Sequence, residues 1–277
     1  MPKCSHEHTA TTRPSATVRL TRCFVPRPLA AESSMLLPAG PSMHIARVLR
    51  LRVGALLTLF DGRGGEFEAS ILALERGGVC VQLGAHRAVE REAPVSITLL
   101  QCLVRAERMD FIVQKATELG VAAIVPLASR HSVVRLDDPG AQRRQRHWQA
   151  VAVSACEQCG RNRIPELQSP RALDRGCAES DSPAAPGARL LLLPEGPHTL
   201  AGAVVGLSGP ATGLHLSLLS GPEGGFSAEE IALAQQHGFV ACRLGPRVLR
   251  AETAPLAALA TIQALIGDFG ASDAATT

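Results

Sequence analysis

The chain has 277 residues and a mass of 29.1 kDa, with 46% hydrophobic and 19% charged residues. That is ample apolar material for a core and excludes a wholly disordered protein. The formal charge of +3 is too small to require a nucleic-acid partner, yet all but two of the 28 basic residues are Arg, the exceptions being Lys3 and Lys115. Aromatic residues make up 3% and Tyr is absent, which excludes a single-strand platform of stacked rings.

Residues 1–16 are polar and read as a disordered tail without a secretory signal, so reduced thiols in the cytoplasm are the expectation. The eight Cys show no compact disulfide spacing. From Val18 to about Arg87 the signals are β. Leu57–Phe60, the turn Asp61-Gly62-Arg63-Gly64-Gly65 and the alternating Phe67, Ala69 and Ile71 predict a hairpin, with Val79, Val81 and Leu83 in a further strand. A small β-barrel or sandwich over 17–88 fits this spacing, and 89–94 reads as a linker.

Beyond Pro94, short apolar runs at 97–104, 122–127, 189–193, 214–219 and 240–244 alternate with helical patterns, which predicts a parallel α/β sheet over 95–270. A helix near 107–119 places Met109, Ile112, Ala116 and Leu119 on one face and stops at Gly120. Ser227 and Glu230 have capping-box spacing, and a last helix opens around Pro255 and ends near Gly267. The Pro-, Gly- and Ser-rich residues 165–188 read as an irregular connection, and 271–277 as a tail. The stretch Gly196–Pro222 lacks charged residues, but Gly, Pro, Ser, Thr and two His interrupt it, so no membrane span is expected.

Residues 1–92 carry 12 basic and 8 acidic side chains, whereas 93–277 carry 16 and 17. Residues 130–163 are again basic, with seven Arg against Asp137, Asp138 and Glu157. Two basic zones flanking a near-neutral region suit an extended polyanion, and equally a solvated surface. The Arg excess itself fits either a planar phosphate-binding chemistry or a codon-usage bias.

Several site chemistries are excluded. A Walker phosphate loop needs Lys followed by Ser or Thr, but Lys3 precedes Cys4 and Lys115 precedes Ala116. Gly62-Arg63-Gly64-Gly65 lacks the third glycine of a dinucleotide fingerprint and sits between strands. No Gly-x-Ser-x-Gly or His-Glu-x-x-His occurs. Cys156-Glu157-Gln158-Cys159 has no second pair to complete a structural zinc site, so no metal is expected.

What remains lies toward the C-terminus. Leu193-Pro194-Glu195-Gly196, Leu219-Ser220-Gly221-Pro222-Glu223-Gly224-Gly225 and Leu244-Gly245-Pro246-Arg247-Val248-Leu249-Arg250-Ala251-Glu252-Thr253 each leave the end of a predicted parallel strand. Such strand ends are where open α/β sheets bind ligands, and missing side chains let backbone groups approach closely. Each turn alone reads as well as a simple tight turn. Glu195, Glu223, Arg247, Arg250 and Glu252 together favour a site.

On these residues the chain resembles the SPOUT-class RNA methyltransferases, and within them the small-subunit methyltransferase E family that acts on uracil N3 of 16S ribosomal RNA. The resemblance runs from about Arg19 to Asp268. It also rests on Phe24-Val25-Pro26, His44 with Val48-Leu49-Arg50, Leu59-Phe60-Asp61-Gly62, Lys115-Ala116-Thr117-Glu118-Leu119-Gly120 and Glu157-Gln158-Cys159-Gly160-Arg161. Residues 1–16 and 165–188 depart from the pattern. The resemblance implies an α/β SPOUT domain with a deep trefoil knot, preceded by a PUA-like RNA-binding β domain. It further implies S-adenosylmethionine held in the knot by Leu193, Pro194, Glu195, Gly196, Leu219, Gly221, Pro222, Glu223, Gly224, Leu244, Gly245, Arg247, Val248, Leu249 and Thr253. RNA contacts are implied at Arg19, Arg22, His44, Arg47, Arg50, Arg161 and Arg163. A homodimer whose active site uses both chains, and 16S ribosomal RNA or the small subunit as partner, complete the expectation.

For methylation at uracil N3, Arg161, Arg250 and also Arg22 are candidates for stabilising substrate charge. Glu223 and Glu252 are candidates for base or cofactor orientation. Turn capping or ion pairing is the competing role for each Glu, and a catalytically inactive RNA-binding or ribosome-assembly factor on the same fold is the competing function.

Overall fold

A computed structural model describes residues 21–132, 140–179, 187–207 and 213–270. The expected tails and Arg19 lie outside these residues.

The N-terminal sheet contains β1 (Arg22–Phe24), β2 (Ser34–Leu36), β3 (Leu56–Phe60), β4 (Glu66–Glu75) and β5 (Gly78–Arg87), in the order β1-β3-β4-β5-β2. The predicted hairpin is the antiparallel β3–β4 pair, with Leu59 opposite Phe67 and Leu57 opposite Ala69. Leu57, Leu59, Phe67, Ala69, Ile71, Val79, Val81 and Leu83 share one core, as a sheet buried on one face requires. The all-β expectation for this region needs a correction. Residues Ala39–Met43 form α1 and His44–Val48 a π-helical turn. Ile45 is buried in the β core, while the buried Ser42 hydroxyl donates to the Leu37 carbonyl and accepts from the Val79 N–H. One helical turn thus satisfies the Val79 N–H of β5 and the Leu37 carbonyl just after β2.

The second sheet is built on β6 (Ser96–Cys102), β7 (Ala123–Ala128), β8 (Glu166–Leu167), β9 (Arg171–Ala172), β10 (Gly187–Leu192), β11 (His198–Thr199), β12 (His215–Ser220) and β13 (Val240–Arg243). Its order is β11-β13-β10-β12-β6-β7-β8, with β9 also on β7 and every pairing parallel. Helices α2 (Ala106–Glu118), α3 (Ala141–Cys159), α5 (Leu200–Val205) and α7 (Thr253–Ile266) cover one face; α4 (Leu173–Glu179) and α6 (Ala228–Gln236) cover the other. Alternate residues explain the continuous apolar runs. Leu99, Leu190, Leu216 and Leu218 enter one core, and Leu100, Leu191 and Leu219 enter the opposite one. The capping box of α6 forms as the spacing predicts, with Ser227 accepting from the Glu230 N–H and Glu230 accepting from the Ser227 N–H.

The irregular reading of 165–188 also needs correction, since it contains β8, β9 and α4 within its described part. Leu173 and Cys177 bury on the sheet, and Gly176 permits the approach, because a Cβ there would meet Leu127 Cδ2 at 2.3 Å.

Candidate functional site

The ends of β10, β12 and β13 are neighbours, so the three turns that follow them converge on one cavity of about 910 Å³. Its apolar wall includes Leu193, Leu244, Val248, Leu249, Ala254 and Phe226; Glu195, Glu223, Arg247 and Arg250 bring charge to it. Local chemistry sets each turn. Gly196 donates its N–H back to the Leu193 carbonyl, and a Cβ there would lie 2.6 Å from the Cys242 carbonyl carbon, so only glycine lets the first turn pack on β13. The second turn closes with the Gly225 N–H on the Pro222 carbonyl and needs φ of +69° at Gly225. A loop after β7 braces it, through His131 Nδ1 at 3.1 Å from the Gly225 carbonyl and the Arg130 N–H on Glu230.

The structure places eleven expected residues in the cavity wall: Leu193, Pro194, Glu195, Gly221, Pro222, Glu223, Leu244, Arg247, Val248, Leu249 and Arg250. Of the residues expected to hold the cofactor, five others do not line the cavity. Leu219 is buried in the sheet core, Gly196 backs onto β13, Gly224 lies under His131, Gly245 turns the chain after β13 with φ of +115°, and Thr253 opens α7. Outside the three turns, sequence reasoning missed Arg108, Ile231 and Cys242 in the wall. Arg108 sits on the sheet-covering helix α2, distant in sequence from every turn, so only tertiary contact reveals it.

Arg108 joins the two candidate carboxylates. Its Nη1 lies 3.2 Å from Glu223 Oε1 and 3.7 Å from Glu252 Oε2. Glu223 Oε1 also accepts from the Arg105 N–H at 3.3 Å. Glu252 is 16% exposed, its Oε2 is buried and has no hydrogen-bond donor among the described residues, and Oε1 is 4.0 Å from Arg250. Arg250 itself is 78% exposed.

A second cluster lies at the seam between the two sheets. Arg161, whose side chain is 5% exposed, donates to Glu92 and to the Thr117 and Val121 carbonyls. Arg22 is 7% exposed, pairs with Glu66, donates to Asn162 Oδ1 and to the Arg161 carbonyl, and stacks on Phe60. Asn162 donates to the Val89 carbonyl, Arg91 to the Gly160 carbonyl, and the Phe24 N–H to Glu157. Against the expectation that Arg22 and Arg161 meet substrate, both guanidiniums are buried: every Arg161 nitrogen donates across the seam, as do Nη1 and Nη2 of Arg22, while Arg22 Nε is buried without an acceptor among the described residues. Burial alone would raise the Glu66 carboxyl, but Arg22 and then Arg91 outweigh it and hold the group below its ordinary value. Arg163 is exposed and pairs with Glu90; Arg47 and Arg50 are exposed and His44 is half-buried.

Cys156 of the Cys-x-x-Cys pair is buried, and burial pushes its thiol up to about 12, which suits a core residue rather than a reactive thiolate. Among the described residues there is no group of three or more His, Cys, Asp or Glu able to hold a metal, and no helix long and apolar enough to cross a membrane.

A family model described as an RNA methyltransferase domain matches residues 91–263, and one described as an RNA methyltransferase PUA domain matches 43–84. Ribosomal RNA small subunit methyltransferase E of Buchnera aphidicola (subspecies Schizaphis graminum) is 30% identical over 251 residues, covering 91% of this chain and 98% of that protein. A putative methyltransferase from Legionella pneumophila, solved with bound SAM, is 39% identical with a TM-score of 0.83 over 91% of this chain and 100% of that one. Ribosomal RNA small subunit methyltransferase E from Neisseria gonorrhoeae, bound to S-adenosyl methionine, is 35% identical with a TM-score of 0.81, covering 90% and 99%.

Proposed function

Because the chain belongs to the RNA methyltransferase family, we propose that it transfers a methyl group from S-adenosylmethionine to N3 of a uridine in 16S ribosomal RNA of the small subunit. The observation that carries this reading is the cavity itself, built at three neighbouring parallel strand ends from backbone-rich turns. Its volume falls within the roughly 300–1,000 Å³ of small-ligand sites. The residues fit the cofactor: open backbone at Gly225, an apolar wall for a base, and Glu and Arg side chains for an amino-acid group.

When bound, S-adenosylmethionine supplies a methyl group already activated on sulfur. The protein's work is therefore to place the acceptor in line and to manage the charge at N3. Glu223 lines the cavity and receives the N3 proton, while Glu252 shares the Arg108 guanidinium with it and fixes the local charge. Arg250, exposed on the cavity wall, meets substrate charge. The exposed Arg47, Arg50 and Arg163, with His44, offer the RNA contacts, by neutralising phosphates. The SPOUT knot, a homodimer with a shared active site and a cytoplasmic location belong to the same reading. The strand order, with β10 between β12 and β13, suits the knot.

The test is incubation with labelled cofactor and undermodified small subunits, followed by mapping of the labelled base. Label at N3 of a single uridine is the expected result, and label at another atom overturns the specificity. Calorimetry showing no cofactor binding at micromolar concentration would instead favour a catalytically inactive RNA-binding factor. Arg250→Ala is expected to abolish methylation with little loss of folding.

A further inference from the structure

Methylating uracil N3 leaves negative charge on the two carbonyl oxygens beside it as the proton departs. A donor aimed at that charge is effective only if it is held in place beforehand. Arg250 is poorly suited to do this alone, since among the described residues its one ion-pair partner is Glu252 at 4.0 Å and its side chain is 78% exposed. Arg108 is held far better. It rises from the first turn of the rigid α2, is only 33% exposed, and is fixed through Nη1 by two carboxylates from two different turns. Among the described residues its Nε and Nη2 make no hydrogen bond, although the residue lines the cavity. A guanidinium oriented by one nitrogen, with its other donors uncommitted, is a fork presented to an approaching planar anion.

We propose that Arg108 is a catalytic residue: its uncommitted donors bind the carbonyl oxygen next to N3, with Glu223 and Glu252 serving to orient it. The inference rests on the uracil-N3 reading and assigns the substrate-facing charge within that site. N3 gives its proton to Glu223, its freed electron pair forms the new N–CH3 bond, and the C–S bond breaks with its pair returning to sulfur. Arg108 gains and loses no proton in this step. The other charged groups lining the cavity are Arg250, Arg247 and Glu195 from the turns, while Asp110 on its own helix is taken up by His147.

The experiment compares wild type, Arg108→Ala and Arg108→Lys on the same undermodified subunits. Cofactor affinity is read separately by calorimetry without RNA. Arg108→Ala is expected to lower kcat by about 10²–10³-fold, with cofactor affinity within about threefold of wild type. The deficit should shrink as pH rises, because N3 then loses its proton without help. Arg108→Lys, which keeps the charge but not the planar fork, should recover only part of the rate. Activity of Arg108→Ala within about threefold of wild type, or a parallel loss of cofactor binding, would overturn the assignment. A pH-independent deficit would do so as well, because it would mark a merely structural role. Failure of the uracil-N3 reading is distinguishable, since wild type would then leave N3 unlabelled before any variant is made.

Discussion

The seam between the sheets and the mouth of the cavity are built from the same two charged residue types but are finished differently. At the seam, Arg22 and Arg161 are buried and their guanidiniums end on Glu66, Glu92, Asn162 and backbone carbonyls, with only Arg22 Nε left without an acceptor among the described residues. At the mouth, Arg108, Arg250, Glu223 and Glu252 are looser, and Glu252 Oε2 is left without a donor among the described residues. A buried ion pair must satisfy its partners or lose stability, whereas a site must keep donors and acceptors available for what it binds. The difference teaches which arginines hold the fold and which are free to act.

The largest expected effect is at the seam. Glu66→Ala leaves Arg22 buried without its carboxylate and should cost about 3–5 kcal/mol in urea denaturation; a loss below 1 kcal/mol would mean that water reaches the seam. Gly196→Ala comes next, because its Cβ would press on the β13 backbone. It should cost about 1–3 kcal/mol and weaken cofactor binding in calorimetry, where Glu66→Ala should not. Acid should loosen the seam selectively. The Glu66 carboxyl is lowered in the folded state, so its contribution is present above the ordinary value of 4.5 and is lost as pH falls through the lowered one. The stability gap between wild type and Glu66→Gln should therefore narrow below about pH 4.5, and a constant gap would contradict the ion-pair account. The smallest effect is at the mouth: Glu223→Gln should change stability by less than about 1 kcal/mol while methylation falls sharply. If stability falls instead, Glu223 belongs with the seam residues.

Much of this was legible before any coordinates. The hydrophobic runs marked β6, β7, β10, β12 and β13, and the alternation in 57–83 marked the hairpin, because local periodicity reflects which faces are buried. Helix α1 was not legible, since its justification is a Ser42 hydroxyl serving β5, a contact formed only when distant residues meet. Helix α4 was hidden by a Pro- and Gly-rich setting, and its glycine proved to be a packing surface against Leu127.

The sequence by itself determined the two-part architecture, the three turns and the residue types available for chemistry, since these depend on neighbours along the chain. Only the tertiary structure decided how the arginines divide. Arg161 and Arg250 look alike in sequence, each in a Gly- and Arg-bearing motif; one is buried on Glu92 and the other stands exposed on the cavity wall. Arg108, in none of the sequence motifs, joins the carboxylates of two turns. Burial and partner choice are set by residues far apart along the chain, and they determine whether a charge stabilises the fold or remains available to a ligand.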